Sequence, residues 1–129
     1  MKRSTILAAL TGLTLLAVGL TGCGPSPNAD ACKLYEASQN SLQTAVEAQK
    51  LGAFSQADVR SEFANMPDGV KAATDRAHGD VLVAMQESYR YAITYAKSPT
   101  DDNGTAFFFQ REDVLKSCKK DGAEIILKK

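Results

Sequence analysis

The feature that most constrains how this chain of 129 residues can fold is a pair of cysteines, Cys32 and Cys118, that bracket nearly all of its helix-patterned sequence. Joined, they tie the first element of a domain to the last; free, they are two small apolar side chains. Compartment decides between these, and the N-terminus bears on compartment. Lys2 and Arg3 form a short cationic segment, residues 6–20 form an apolar run, and small residues follow, which is the three-part organisation of a secretory signal peptide. The run is punctuated by Thr11, Gly12, Thr14 and Gly19. It is shorter than the roughly 20 apolar residues of a membrane-crossing helix. An uncleaved N-terminal anchor is the alternative.

The run ends in Leu20-Thr21-Gly22-Cys23. This resembles the lipobox of bacterial lipoproteins, in which small residues precede a cysteine at the end of the apolar segment. The resemblance covers the first 23 residues. It implies that residues 1–22 are removed and that Cys23 becomes the lipidated first residue, carrying a diacylglyceryl group in thioether linkage. Residues 23–28 then form a lipidated cysteine and a short Gly/Pro/Ser tether, with a domain over 29–129. Two or more acyl chains anchor stably where one is marginal, each buried methylene contributing about 0.8 kcal/mol. The implied location is the cell membrane, anchored through the acyl chains on Cys23 and facing outside the cytoplasm. Gly24 stands where an aspartate would resemble an inner-membrane retention signal. In general style the chain also resembles small lipoproteins of actinobacteria and their temperate phages, a likeness that carries over no binding residue.

Charge adds an exclusion. The whole chain has 15 basic and 15 acidic residues; without Lys2 and Arg3 the net charge is −2. No basic footprint for nucleic acid exists, and no electrostatic reason to lie flat on an anionic bilayer. Export favours oxidised thiols, so Cys32 and Cys118 are expected to form a disulfide, the alternative being two buried free thiols. Closing a loop of that size stabilises by roughly 4 to 5 kcal/mol in the chain-entropy model.

The rest of the sequence is helical in pattern. From Ala29, Cys32, Tyr35, Leu42, Ala45, Val46 and Gln49 fall on one stripe, Asn28 is a candidate N-cap and Gly52 a stop. Ser55 and Asp58 have the spacing of a capping box, with Phe54 and Val59 placed as a hydrophobic staple. The second helix is expected to end near Asn65, because the residue before Pro67 is pushed out of helical conformation. A long third helix then runs from about Val70 to Lys97 with Gly79 as a kink. The segment SPTDDNGT reads as a polar loop, followed by a fourth helix through Phe107, Phe108, Leu115 and Cys118 that closes at Asp121-Gly122. The last residues should pack as an extended apolar arm or a short helix. The expected architecture is all-α, a small irregular antiparallel bundle of about four helices stapled by one disulfide. Its lipid end and disulfide end coincide, leaving the connections at 50–55 and 98–105 pointing away from the membrane.

Specific chemistry is sparse. Aligning Gly104 with the glycine of a calcium-binding EF-hand puts Pro99 and Gln110 where carboxylates are needed. His78, the one histidine, has Asp75 nearby but lacks a zinc ligand set. Glu112 and Asp113 are adjacent and so do not share a helical face. No nucleophile elbow, P-loop or dinucleotide fingerprint occurs. No cofactor or metal is expected, and the chain is read as a non-enzyme. Candidate partner contacts are the tyrosines Tyr91 and Tyr95 in YRYAITYAK and the polar trio Asp101, Asp102 and Asn103.

The expected function is therefore a lipid-anchored envelope protein whose non-catalytic helical domain binds or regulates a protein partner at the outer face of the membrane. Two alternatives stay open: a prophage-type superinfection-exclusion lipoprotein, resembling those in size, lipobox and lack of catalytic residues, and a carrier of an apolar ligand.

Overall fold

A computed structural model describes residues 26–128, so residues 1–22, read above as a signal peptide, and Cys23 lie outside the described residues. Four helices follow one another: α1 (Ala29–Lys50), α2 (Gln56–Thr74), α3 (Gly79–Lys97) and α4 (Asp101–Lys120). Sequential helices pack on one another through connections of five residues or fewer, which makes neighbours antiparallel. A disulfide between Cys32 and Cys118 ties the start of α1 to the end of α4, with Cα atoms 6.0 Å apart. The result is the small disulfide-stapled helical bundle that the sequence implies.

Local chemistry accounts for most of the boundaries. At the start of α2 the Ser55 hydroxyl accepts from the Asp58 N–H at 3.2 Å while the Asp58 carboxylate accepts from the Ser55 N–H at 2.7 Å, a complete capping box. Helices α1 and α4 end alike. Gly52 and Gly122 take positive φ, and the following residues, Ala53 and Ala123, return their N–H groups to the carbonyls of Ala48 and Cys118.

Three boundaries differ from expectation. Helix α2 does not stop before Pro67 but runs through it to Thr74. Proline removes one helical N–H there, yet Met66, Val70 and Ala73 lie buried along one stripe across that point, and continuing the stripe keeps them in the core. The break falls instead at Asp75 to His78. Gly79 is not a kink within a long helix but the positive-φ residue at which α3 begins. Finally, α4 starts at Asp101, so the polar segment expected to be a loop supplies only residues 98–100, and DDNGT forms the first turns of a helix. Thr100 caps it by accepting from the Asn103 N–H at 3.3 Å, and Asp101 and Asp102 suit the positive end of the helix dipole.

The core comprises Tyr35, Met66, Val70, Val81, Met85, Phe107 and Val114 around the disulfide. Its one buried phenol, Tyr35, shares a hydrogen bond of 2.7 Å with the buried Ser88 hydroxyl of α3. Gly69 marks a close approach of α1 and α2, since a β-carbon there would stand 2.6 Å from Cβ of Ser38. Asn28 does not cap α1 with its side chain. Its Oδ1 accepts from the His78 backbone N–H at 2.7 Å, tying the start of α1 to the turn between α2 and α3. After Gly122 the chain continues as an extended arm, with Ala123 and Ile125 buried and Glu124, Ile126 and Lys128 exposed.

Candidate functional site

An apolar groove of about 360 Å³ opens in the half of the bundle away from the disulfide. Each wall comes from a helical stripe that continues outward from the core. Helix α1 contributes Leu42 and Val46, α2 contributes Val59 and Phe63, and α4 contributes Phe107 and Phe108. Tyr95 near the end of α3 closes one side. At 1.5 Å per residue, Leu42 and Val46 stand roughly 20 to 25 Å along α1 from its first residue, so the groove is well removed from the N-terminal end.

The aromatic wall is held by ring contacts. Tyr95 meets Phe63 edge-on at 4.8 Å between centroids and lies 6.0 Å from Phe107 and 6.1 Å from Phe108. The tyrosine ring rests against the backbone of α4 at Gly104, where an added β-carbon would come within 3.1 Å of it. Gly104 therefore serves a close packing contact, not a calcium loop.

Two guanidinium groups, Arg60 and Arg111, line this apolar groove. Arg111 is half-buried, stacks over Phe108 at 5.1 Å from the ring centroid, and leaves its Nε buried with no hydrogen-bond partner. Neither arginine forms an ion pair among the described residues. Burial pulls the Arg111 guanidinium down from its ordinary range, opposed by the nearby Tyr35 and Glu112. An arginine keeps its charge at neutral pH even so. The groove thus combines apolar contact surface with two cations that form no ion pair among the described residues.

The residues singled out in the sequence divide between this site and elsewhere. Tyr95 belongs to the groove. Tyr91 does not; it is half-buried, with the Arg90 guanidinium 4.6 Å from its ring centroid. Both tyrosines are half-buried. Asp101 and Asp102 are exposed on the first turn of α4, while Asn103 donates from Nδ2 to the Ser98 carbonyl at 2.8 Å and so closes the turn. Pro99 in that turn reaches the groove. Cys32 and Cys118 are fully buried in the core as a disulfide. His78 is exposed at the start of α3, and Asp75 ends α2, paired with Lys71 at 2.5 Å, so the two do not share a helical face. No grouping of His, Cys, Asp or Glu suited to a metal ion occurs among the described residues.

Sequence reasoning passed over Arg60 and Arg111. For Arg111 a signal existed. It sits at helical spacing between Phe107 and Val114, in a stripe that continues to Cys118, and a charged residue there asks for an explanation. Arg60 and the apolar residues of α1 and α2 carry no comparable local sign. The chain matches no protein-family model, no curated protein and no solved structure.

Proposed function

We propose that this is a lipid-anchored envelope protein, tethered through Cys23, whose helical domain binds a protein partner through the groove between α1, α2 and α4. The observation that carries this reading is the groove itself: aromatic and aliphatic walls with two arginines that form no ion pair among the described residues. Aromatic residues and arginine are the side chains most enriched where binding energy concentrates in protein interfaces. Further support comes from the sequence, where the lipobox-like Leu20 to Cys23 ends an apolar run. Anchoring at Cys23, a few residues before the start of α1, would leave the groove away from the anchored end of the chain. A partner at the groove would meet the domain on its membrane-distal half.

The test has two arms. Intact mass of the membrane-extracted protein should give a chain starting at Cys23 plus acyl chains, and Cys23→Ala should abolish both processing and membrane retention. A photo-crosslinker at Leu42 in cells should yield one discrete adduct, lost when Val59→Asp places a charge in the groove of an otherwise folded protein. Unprocessed protein removes the anchored reading; a crosslinking pattern indifferent to Val59→Asp removes the groove.

A second reading uses the same cavity as a carrier site for an apolar ligand with an anionic head. Its volume falls at the small end of the range for such sites, about 300 to 1,000 Å³. Displacement of a fluorescent fatty acid from the purified protein, sensitive to Arg111→Gln, would favour the carrier over the partner-binding reading.

A further inference from the structure

The C-terminal arm is held along one edge only. Its Ile126 N–H donates to the Glu36 carboxylate at 3.0 Å, its Ile126 carbonyl accepts from Asn40 Nδ2 at 2.9 Å, and its Lys128 N–H donates to Asn40 Oδ1 at 2.8 Å. The Lys128 ammonium continues the series by donating to the Thr44 hydroxyl at 3.0 Å. Side chains of α1 one turn apart, Glu36, Asn40 and Thr44, therefore take the place of a neighbouring strand.

In an extended chain, successive residues direct their backbone groups to opposite edges. With Ile126 and Lys128 turned to α1, the N–H and C=O groups of Ile125 and Leu127 face the other way. They make no hydrogen bond with any described residue. On that side lies a trough of about 430 Å³, bounded by residues 125–128 and, across from them, by Phe108, Arg111, Glu112 and Leu115 of α4. Ile126 is 73% exposed and Phe108 46% exposed at its borders. Arg111, whose Nε is without a partner, lines both this trough and the groove.

A row of free backbone donors and acceptors is matched by another backbone. We propose that the outer edge of this arm, facing Phe108, Arg111 and Leu115 across the trough, binds an extended peptide segment of a protein partner by strand addition. The segment pairs its backbone with Ile125 and Leu127, packs alternate apolar side chains on Phe108 and Leu115, and presents a carboxylate to Arg111. The arm of a second copy is a poorer occupant, because it arrives flanked by its own α1 and α4 where α4 of the first copy already stands. The proposal rests on the partner-binding reading and specifies what is recognised.

The test uses the intact chain in detergent and, as probe, a short capped peptide that carries valine, glutamate and valine on one face, at alternate positions, with threonine between them. Amide exchange at Ile125 and Leu127 should be fast in the free protein and slow by at least about tenfold with the peptide bound. Of two peptides N-methylated on alternate residues, one along each edge, only one should lose binding. Arg111→Gln should weaken the glutamate peptide by about tenfold, the scale of one charge-assisted contact, and leave a glutamine version unchanged. The proposal is overturned if these amides are already protected in the free protein, if millimolar peptide protects neither, or if both methylated peptides bind equally. Protection that grows with protein concentration alone would point to a second copy and overturn it too. If the crosslinked partner of the groove is captured equally well by a chain in which Asn40→Ala frees the arm, partner binding stands and strand addition falls.

Discussion

Glycine in a helix interior is ordinarily about 1 kcal/mol worse than alanine, yet at Gly69 the missing side chain is what lets α2 approach Ser38 of α1. A β-carbon there would stand 2.6 Å from Cβ of Ser38. Gly69→Ala should therefore lower the melting temperature in spite of its better propensity, by a net amount of about 1 to 3 kcal/mol for overpacking. Adding Ser38→Gly should recover part of the loss, and a single variant that melts higher than the parent would contradict the close approach. Tyr35 supplies a pH dependence. Burial pushes its phenol up to about 12, with the Ser88 hydrogen bond and Arg111 pulling the other way. Between the unfolded value of 10.0 and about 12 the unfolded chain has lost this proton while the folded chain keeps it. Stability should thus be level from this source below that window and fall through it, by about 1.4 kcal/mol per pH unit. Denaturant titrations at alkaline pH would show the slope, and Tyr35→Phe should remove it while costing about 1 kcal/mol for the Ser88 hydroxyl left alone.

At the scale of elements, Pro67 and Ser55 have opposite consequences. Pro67 sits inside α2 without an N–H for the helical ladder, so Pro67→Ala should raise the melting temperature, by as much as about 3 kcal/mol in stability. Ser55→Ala dismantles the capping box and should lower it by about 1 kcal/mol. Thermal unfolding followed by circular dichroism distinguishes both from the parent. These residues also explain what the sequence could convey. The capping box was legible because its chemistry lies within four residues. Pro67 misled because its local penalty is outweighed by buried Met66, Val70 and Ala73, contacts that appear only once α2 is packed. DDNGT looked like a loop by composition, although Thr100 and two aspartates are equally what a helix start requires. The disulfide was legible through compartment, and four helices through periodicity. The groove was not, because its lining comes from all four helices and is assembled only when they pack.

For the molecule as a whole, the cross-link between Cys32 and Cys118 is the largest single restraint on the unfolded chain, closing a loop across a separation of 86 residues. Replacing both cysteines by alanine should cost about 4 to 5 kcal/mol in the chain-entropy account. The drop should show as a lower denaturant midpoint, and a midpoint equal to that of the oxidised parent would mean that packing alone sets the topology. The same bond also has a mechanical consequence. A pull applied near residue 26 and resisted at residue 125 travels a short way along α1, crosses a covalent sulfur bridge and leaves through the end of α4. The long path through α2 and α3 carries almost none of the tension. A load applied between residue 26 and the arm would therefore leave the core of the bundle unloaded. Chemical reduction would convert that shunt into a tether that unravels, which single-molecule stretching would register as a sudden gain in contour length.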